Sequence, residues 1–137
     1  MELQKKYSLS LVVPVYNEED LLEFFIFKAV SELKKMSENY EIILINDGST
    51  DRSAEIIVKL QSAVPCLRVI TLENNQGVGV ATKIGLKVAK NEVVFNNTVD
   101  SFFNMEELPK FLGYLNQYEV LSGYRTNLKS NNLYGKF

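Results

Sequence analysis

The chain has 137 residues, 46% hydrophobic and 23% charged, with 15 basic against 17 acidic side chains and a net charge of −2. That suits one domain around one core, and the basic residues are too scattered and too nearly balanced to build a nucleic-acid surface. There is no histidine and a single cysteine, which excludes a histidine base, a Ser-His-Asp triad, a His-ligated metal, an intrachain disulfide and a cysteine cluster.

In chain order, Met1 to Tyr7 is charged and polar, with no pattern of a secretory leader. Leu9 to Val13 reads as a first strand. Leu22, Phe25, Ile26, Ala29, Val30 and Leu33 then recur at helical spacing. Glu41 to Ile45 reads as a second strand, followed by Ala54, Ile57 and Val58 on a helix that Ser49 or Asp51 would cap. Leu67 to Leu72 is a third strand, and Cys66 at its edge reads as a small buried hydrophobe. Ala81, Ile84, Gly85 and Val88 form the next stripe, Val93 to Phe95 a fourth strand, Leu108, Phe111, Leu112 and Leu115 a fourth helix, and Tyr118 to Leu121 a fifth strand. Thr126 to Phe137 is polar, Asn-rich and basic, a loop or the start of a further element. The longest mostly apolar stretch, Leu21 to Val30, is broken by Glu23 and Lys28. It falls short of the roughly 18 residues that span a bilayer, so a soluble, cytoplasmic domain is expected.

Strands alternating with helices in this way imply βαβ units: an α/β fold of three layers, with a mainly parallel sheet between helices and residues 1–137 as one domain. In such a fold, ligands bind at the carboxyl ends of the strands. Two segments there carry the chemistry. Asp47-Gly48-Ser49 follows the second strand. Asp47 can accept a hydrogen bond from a base, Gly48 can take positive φ and approach a ligand closely, and Ser49 would open a helix whose N-terminus favours anions. Alone, the tripeptide reads as a turn with a helix cap. Beside the first loop it reads as a site. In that loop, Pro14 stiffens the chain as it leaves the strand, Tyr16 offers a flat face, and Glu18 can accept a hydrogen bond. As pure structure, Asn17-Glu18-Glu19 is a good helix opening. Gly77-Val78-Gly79 lies between a strand and a helix as a phosphate loop would, but Thr82 stands where the dinucleotide fingerprint needs a small residue. It reads as a helix-entry turn, with Lys83 near enough for a phosphate.

The run Val12 to Glu18, then Asn46 to Asp51, then Asn74-x-Gln76-Gly77-x-Gly79-x-Ala81-x-x-x-Gly85, resembles the inverting family 2 glycosyltransferases with a GT-A type fold. Met105-Glu106-Glu107-Leu108-Pro109 and Gly123-Tyr124-Arg125 are similar to members that make polyprenyl-phosphate sugars, and the resemblance runs from about residue 8 to residue 128. It implies the nucleotide-binding part of such an enzyme, transferring sugar from a nucleotide-diphosphate sugar, in some members to a polyprenyl phosphate at a membrane surface. Pro14, Tyr16, Glu18 and Asp47, with Gly48 and Ser49, would hold the nucleoside. Arg125 would sit by the phosphates, where a fixed cationic fork suits an oxyanion.

The family's Asp-x-Asp metal motif would fall on Thr98-Val99-Asp100, so Asp100 is the expected metal and catalytic carboxylate. Thr98 stands in place of the first aspartate, and Phe102 in place of a frequent glutamine. A Mg²⁺ or Mn²⁺ site is therefore expected in weakened form. Members also carry a further half-domain with acceptor contacts. Those that glycosylate a lipid phosphate need no strong base, because the acceptor oxygen is already anionic. A second reading follows from these departures: a catalytically inactive nucleotide-binding or partner-binding module. A shortened domain would also leave apolar surface bare, so self-association or a partner polypeptide is expected.

Overall fold

The structure, a computed structural model, describes residues 7–100 and 104–123. Its elements run β1 (Leu9–Val15), α1 (Leu22–Met36), β2 (Tyr40–Asn46), α2 (Ser53–Ala63), β3 (Leu67–Thr71), α3 (Val78–Val88), β4 (Val93–Asn96), a 3₁₀ turn (Met105–Glu107) and α4 (Leu108–Leu112). The strands form one sheet in the order β3-β2-β1-β4, with every pair parallel.

Burial explains the order. β1 is buried along its whole length and β2 nearly so, as expected of central parallel strands covered on both faces. One core joins Leu9, Leu11, Val13, Ile42 and Leu44 to Leu22, Ile26, Ala29 and Leu33 of α1, Ile57 and Leu60 of α2, and Leu108 and Leu112 of α4. The opposite face is smaller: Val12, Ile43 and Ile45 pack with Ala81 of α3, and Ile84 and Val88 lie against them. There Gly85 lets α3 settle directly on the Val12 side chain. The three layers expected from the sequence are therefore present.

Some elements differ from their expected bounds. β1 runs two residues past Val13 and contains Pro14, whose Cα partner is Ile45. Val15 O accepts from Asp47 N and Val12 O from Asn97 N, so successive residues of β1 face β2 and β4 in turn. Pro14 faces the β4 side, where pairing has already ended at Val12↔Asn96, and its missing N–H removes no bond of the ladder. In α2 the inward residues are Ser53, Ile57 and Leu60, while Val58 is exposed. No strand forms at Tyr118 to Leu121: Val120 is 86% exposed, and Gly123 passes against the Phe111 ring instead. Cys66 is half-buried against the main core, and burial pushes its thiol up.

At the amino ends of the strands a polar cluster closes the sheet. The Ser10 hydroxyl donates to Glu41 Oε1 at 2.7 Å, the Lys90 amide donates to the same oxygen at 2.8 Å, and Arg68 pairs with Glu41 Oε2 at 2.6 Å. Arg68 also donates to Val88 O, and the Asn91 side chain donates to Leu9 O. The cluster ties β1, β2 and β3 to the segment that leads into β4.

Candidate functional site

The carboxyl ends of the strands carry loops 16–21, 47–52 and 72–77, and residues 97–100 follow β4. The sheet is built outward from β1 through β2 to β3, and then returns to place β4 on the other side of β1. The crevice of such a sheet opens where the direction reverses, between β1 and β4. Glu18 stands on the β1 side and exposed Asp100 on the β4 side. Burial first, then the charges of Asp100 and Asp51, push the Glu18 carboxyl above its usual range.

The first two loops are joined by reciprocal hydrogen bonds. Three amides of the first loop donate to side chains of the second loop and the start of α2: Asn17 N to Ser49 Oγ at 3.1 Å, Glu18 N to Ser53 Oγ at 2.9 Å, and Glu19 N to Asp51 Oδ2 at 3.2 Å. In return, Asn17 Oδ1 accepts from Thr50 N at 2.7 Å and Asp51 N at 3.2 Å, and Glu19 Oε2 accepts from Arg52 N at 2.8 Å. Ser53 N is taken by Asp51 Oδ1 at 2.8 Å. Burial would raise the Asp51 carboxyl, but its bonds with Ser53 and the Glu19 amide hold it below the usual range.

This lattice corrects two expectations. α2 begins at Ser53, whose amide Asp51 Oδ1 accepts as a cap would, and not near Ser49; the amides of Thr50, Asp51 and Arg52 before it are bonded to Asn17 and Glu19. Ser49 therefore offers no open helix terminus to an anion: its amide donates to Asn46 Oδ1 and its hydroxyl accepts from Asn17. Glu18 and Glu19 likewise do not open α1, which starts at Leu22 after a turn in which Glu18 O accepts from Leu21 N and Leu22 N.

The third loop is held by Asp47. Its side chain is 2% exposed, with Oδ1 accepting from Gln76 N at 2.8 Å and Oδ2 from Gly77 N at 2.9 Å. Gly48, at φ 68°, lies against the same loop. A Cβ there would meet Asn74 C at 2.6 Å and Asn75 N at 2.7 Å, so the close approach that Gly48 permits is to this chain's own backbone. Gly77 has φ 94° and enters α3. Beyond it, Val78, Gly79, Thr82, Lys83, Leu86 and Lys87 of α3 line an open groove of about 550 Å³ with Asn96. Lys83 thus faces a groove shared by α3 and the end of β4.

Of the residues expected from sequence, Tyr16, Glu18, Asp47, Gly48 and Ser49 gather on this rim. Tyr16 is 43% exposed; Pro14 lies below it, buried inside β1. Arg125 and Phe102 lie outside the described residues. Thr98 is half-buried. Between β4 and Thr98, Asn97 is 4% exposed, and its Nδ2 has no acceptor among the described residues. Among the described residues, no three His, Cys, Asp or Glu side chains group as a metal site. Sequence reasoning missed Asn17 and Ser53 as cross-loop partners and Gln76 as a partner of Asp47. Side chains that serve a helix or loop some thirty residues away leave no local signature.

The sequence model of Glycosyl transferase family 2 matches residues 10–135. The chain belongs to this family. Among curated relatives, it is 34% identical over 122 residues to an undecaprenyl-phosphate 4-deoxy-4-formamido-L-arabinose transferase of Pectobacterium atrosepticum, covering 88% of this chain and 37% of the relative. It is 32% identical over 130 residues to the enzyme of the same name from Pseudomonas fluorescens, covering 93% of this chain and 38% of the relative. The chain thus spans a little over a third of the length of these relatives. Among solved structures it resembles S. aureus TarS in complex with UDP-GlcNAc, with a TM-score of 0.59 and 27% identity over 82% of this chain and 32% of that one. It also shares its fold with the mannosyltransferase PcManGT from Pyrobaculum calidifontis in complex with GDP-Man and Mn²⁺, with a TM-score of 0.71 and 20% identity over 82% of this chain and 33% of that one. The sheet and its helices are those of a GT-A glycosyltransferase. Among the described residues, no helix is long and apolar enough to cross a membrane.

Proposed function

We propose that this chain forms the nucleotide-sugar-binding part of an inverting glycosyltransferase whose acceptor is a polyprenyl phosphate. The observation that carries the reading is the rim of three loops at the carboxyl ends of β1, β2 and β3, the second fastened to the first and to the third, in a chain of this family. The exposed ring of Tyr16 takes the base or ribose, Glu18 accepts a hydrogen bond from the ribose side, and Arg125 meets the phosphates. Asp47 serves the nucleoside end by fixing residues 74–77, since both its oxygens already hold amides of that loop. The acceptor brings its own anionic oxygen, and a lipid acceptor places the domain at a membrane surface.

The residues present fit a divalent ion weakly. Asp100 offers one carboxylate, Thr98 a neutral hydroxyl, and Glu18 stands within range of Asp100's charge. The ion would neutralise charge on the leaving diphosphate. The related transferases favour this function over the alternative, an inactive nucleotide- or partner-binding module. What speaks for the alternative is Thr98 in place of a carboxylate and Phe102 in place of a glutamine.

Calorimetric titration with UDP, GDP and their sugars tests the reading. The chain should bind a nucleoside diphosphate. Asp47→Ala should weaken binding by about 1.5–3 kcal/mol, the scale of hydrogen bonds to a charged acceptor. No binding by the unaltered chain would refute the proposal, and equal binding by Asp47→Ala would remove Asp47 from it. Light scattering on the same samples reads the proposed self-association.

A further inference from the structure

We propose that Asn17 is a positioning residue of this site: it bonds the turn that leads into α2 and so fixes the loop that presents Tyr16 and Glu18. The inference rests on the nucleotide-binding reading above and deepens it.

Asn17 is the non-glycine residue with positive φ among the described residues, at 54°. Left-handed backbone is costly for most L-residues, and asparagine is among the few that accept it. Here the side chain shows what holds the conformation. Oδ1 accepts from Thr50 N at 2.7 Å and Asp51 N at 3.2 Å, and Nδ2 donates to Thr50 Oγ1 at 3.2 Å. The residue's own amide donates to Ser49 Oγ at 3.1 Å. An asparagine acceptor ordinarily serves backbone amides close by in sequence. This one serves two amides 33 and 34 residues further along the chain, in the segment that precedes α2, whose N-cap, Arg52, makes no side-chain cap bond.

The consequence for the site is geometric. The backbone of the first loop cannot leave the second without stranding the amides of Thr50 and Asp51. Asn17 therefore holds the backbone, while the adjoining Tyr16 stays 43% exposed and free to meet a ligand. A loop ordered in advance spares the ligand the entropy of ordering it.

The chemistry also says why the residue is an amide. Asp51 and Asp100 already raise the Glu18 carboxyl. An aspartate at position 17 would keep the backbone tolerance and the acceptor, but would add a further negative charge and lose the donor to Thr50. Glycine would keep the backbone alone, and alanine neither.

The test uses the full chain and two readouts: amide hydrogen exchange at Thr50 and Asp51, and affinity for UDP and GDP at a temperature where each variant is folded. Asn17→Ala and Asn17→Gly should speed exchange at both amides and weaken nucleotide binding by about tenfold or more, one tenfold step being 1.4 kcal/mol. Asn17→Asp should recover most of both. Ser10→Ala, which loses a bond at the far end of the sheet, should lower the melting temperature and leave affinity unchanged. Wild-type exchange rates at Thr50 and Asp51 in Asn17→Ala would overturn the hold on that segment. Unchanged affinity in that variant, or loss of affinity in Ser10→Ala to the same degree, would overturn the positioning role. A wild-type chain with slow exchange at both amides but no affinity for either nucleotide would overturn the nucleotide reading and, with it, the role of Asn17 in the site.

Discussion

At the amino end of the sheet, Glu41 is a mostly buried carboxylate with a cation and several donors on it. At the carboxyl end, Glu18 is a half-buried carboxylate that faces two more acids. Burial raises both, but in Glu41 the bonds from Arg68, the Lys90 amide and Ser10 overcome it and hold the carboxyl below its usual range. In Glu18 the charges of Asp100 and Asp51 add to burial and carry it above. The lower end satisfies every charge it buries and fastens strands. The upper end fastens its backbone just as thoroughly but leaves like charges facing each other across an opening. Evolution of a stable fold alone would have no reason to keep the second arrangement, whereas a site that receives a cationic or hydrogen-bonding ligand does.

The sharpest way to break this comparison is at its lower end. Glu41→Ala leaves Arg68, the Ser10 hydroxyl and the Lys90 amide without their acceptor. The Arg68 side chain is 38% exposed and regains water, which moderates the cost of breaking a buried pair. A loss of about 2–3 kcal/mol in denaturant unfolding is expected, with nucleotide affinity unchanged. An affinity loss on the scale of that seen with Asp47→Ala would show that the two ends are not separate.

The pH dependence should separate the same two groups. Glu41's folded value lies below its unfolded one, so its stabilisation is complete above the unfolded value and is lost as pH falls through the folded value. Glu18's lies above, so its charge costs stability at neutral pH, and that cost is relieved as pH falls through the raised value. Melting temperature should therefore hold or rise slightly on first acidification and then fall. Glu18→Gln should raise the melting temperature at neutral pH and remove the first phase, while Glu41→Gln should shrink the second, leaving the part that belongs to Asp51. A first phase that survives Glu18→Gln would assign it elsewhere.

The smallest effect concerns the metal. Mn²⁺ should change the nucleotide affinity of the natural chain little, and Thr98→Asp should introduce a clear dependence by supplying a second anionic oxygen. Strong dependence in the natural chain would mean that the ion has ligands beyond Asp100 and Thr98.

The order and type of the first seven elements were legible because their apolar runs are long and regular: Leu9 to Val13, Glu41 to Ile45 and Leu67 to Leu72 could bury both faces, and the helices between them carry one clear stripe each. What was not legible depended on partners distant in sequence. The start of α2 shifted to Ser53 because Asn17 and Glu19 take up the preceding amides. Ala54 looked like a core position and is exposed, because that start turns Ser53 inward. Tyr118 to Leu121 has the composition of a strand, but among the described residues no neighbour pairs with it. In the site, the sequence placed Tyr16, Glu18 and Asp47 at the correct edge. It did not place Gln76 and Gly77 on the Asp47 carboxylate, a contact set by how α3 returns over the sheet.

The return of the chain to β1 also sets a timetable. β1 finds β2 after one helix, but its other edge waits for β4, a pairing whose flanking bond from Glu92 N to Ser8 Oγ spans 84 residues. Closing so long a loop is slow relative to joining neighbours. During synthesis, β1, β2 and β3 with α1 and α2 can assemble while the β4 side of β1, Val12 included, is still bare. That interval is when the nascent domain is most open to pairing with a wrong strand, and its length is fixed by the place of β4 in the chain.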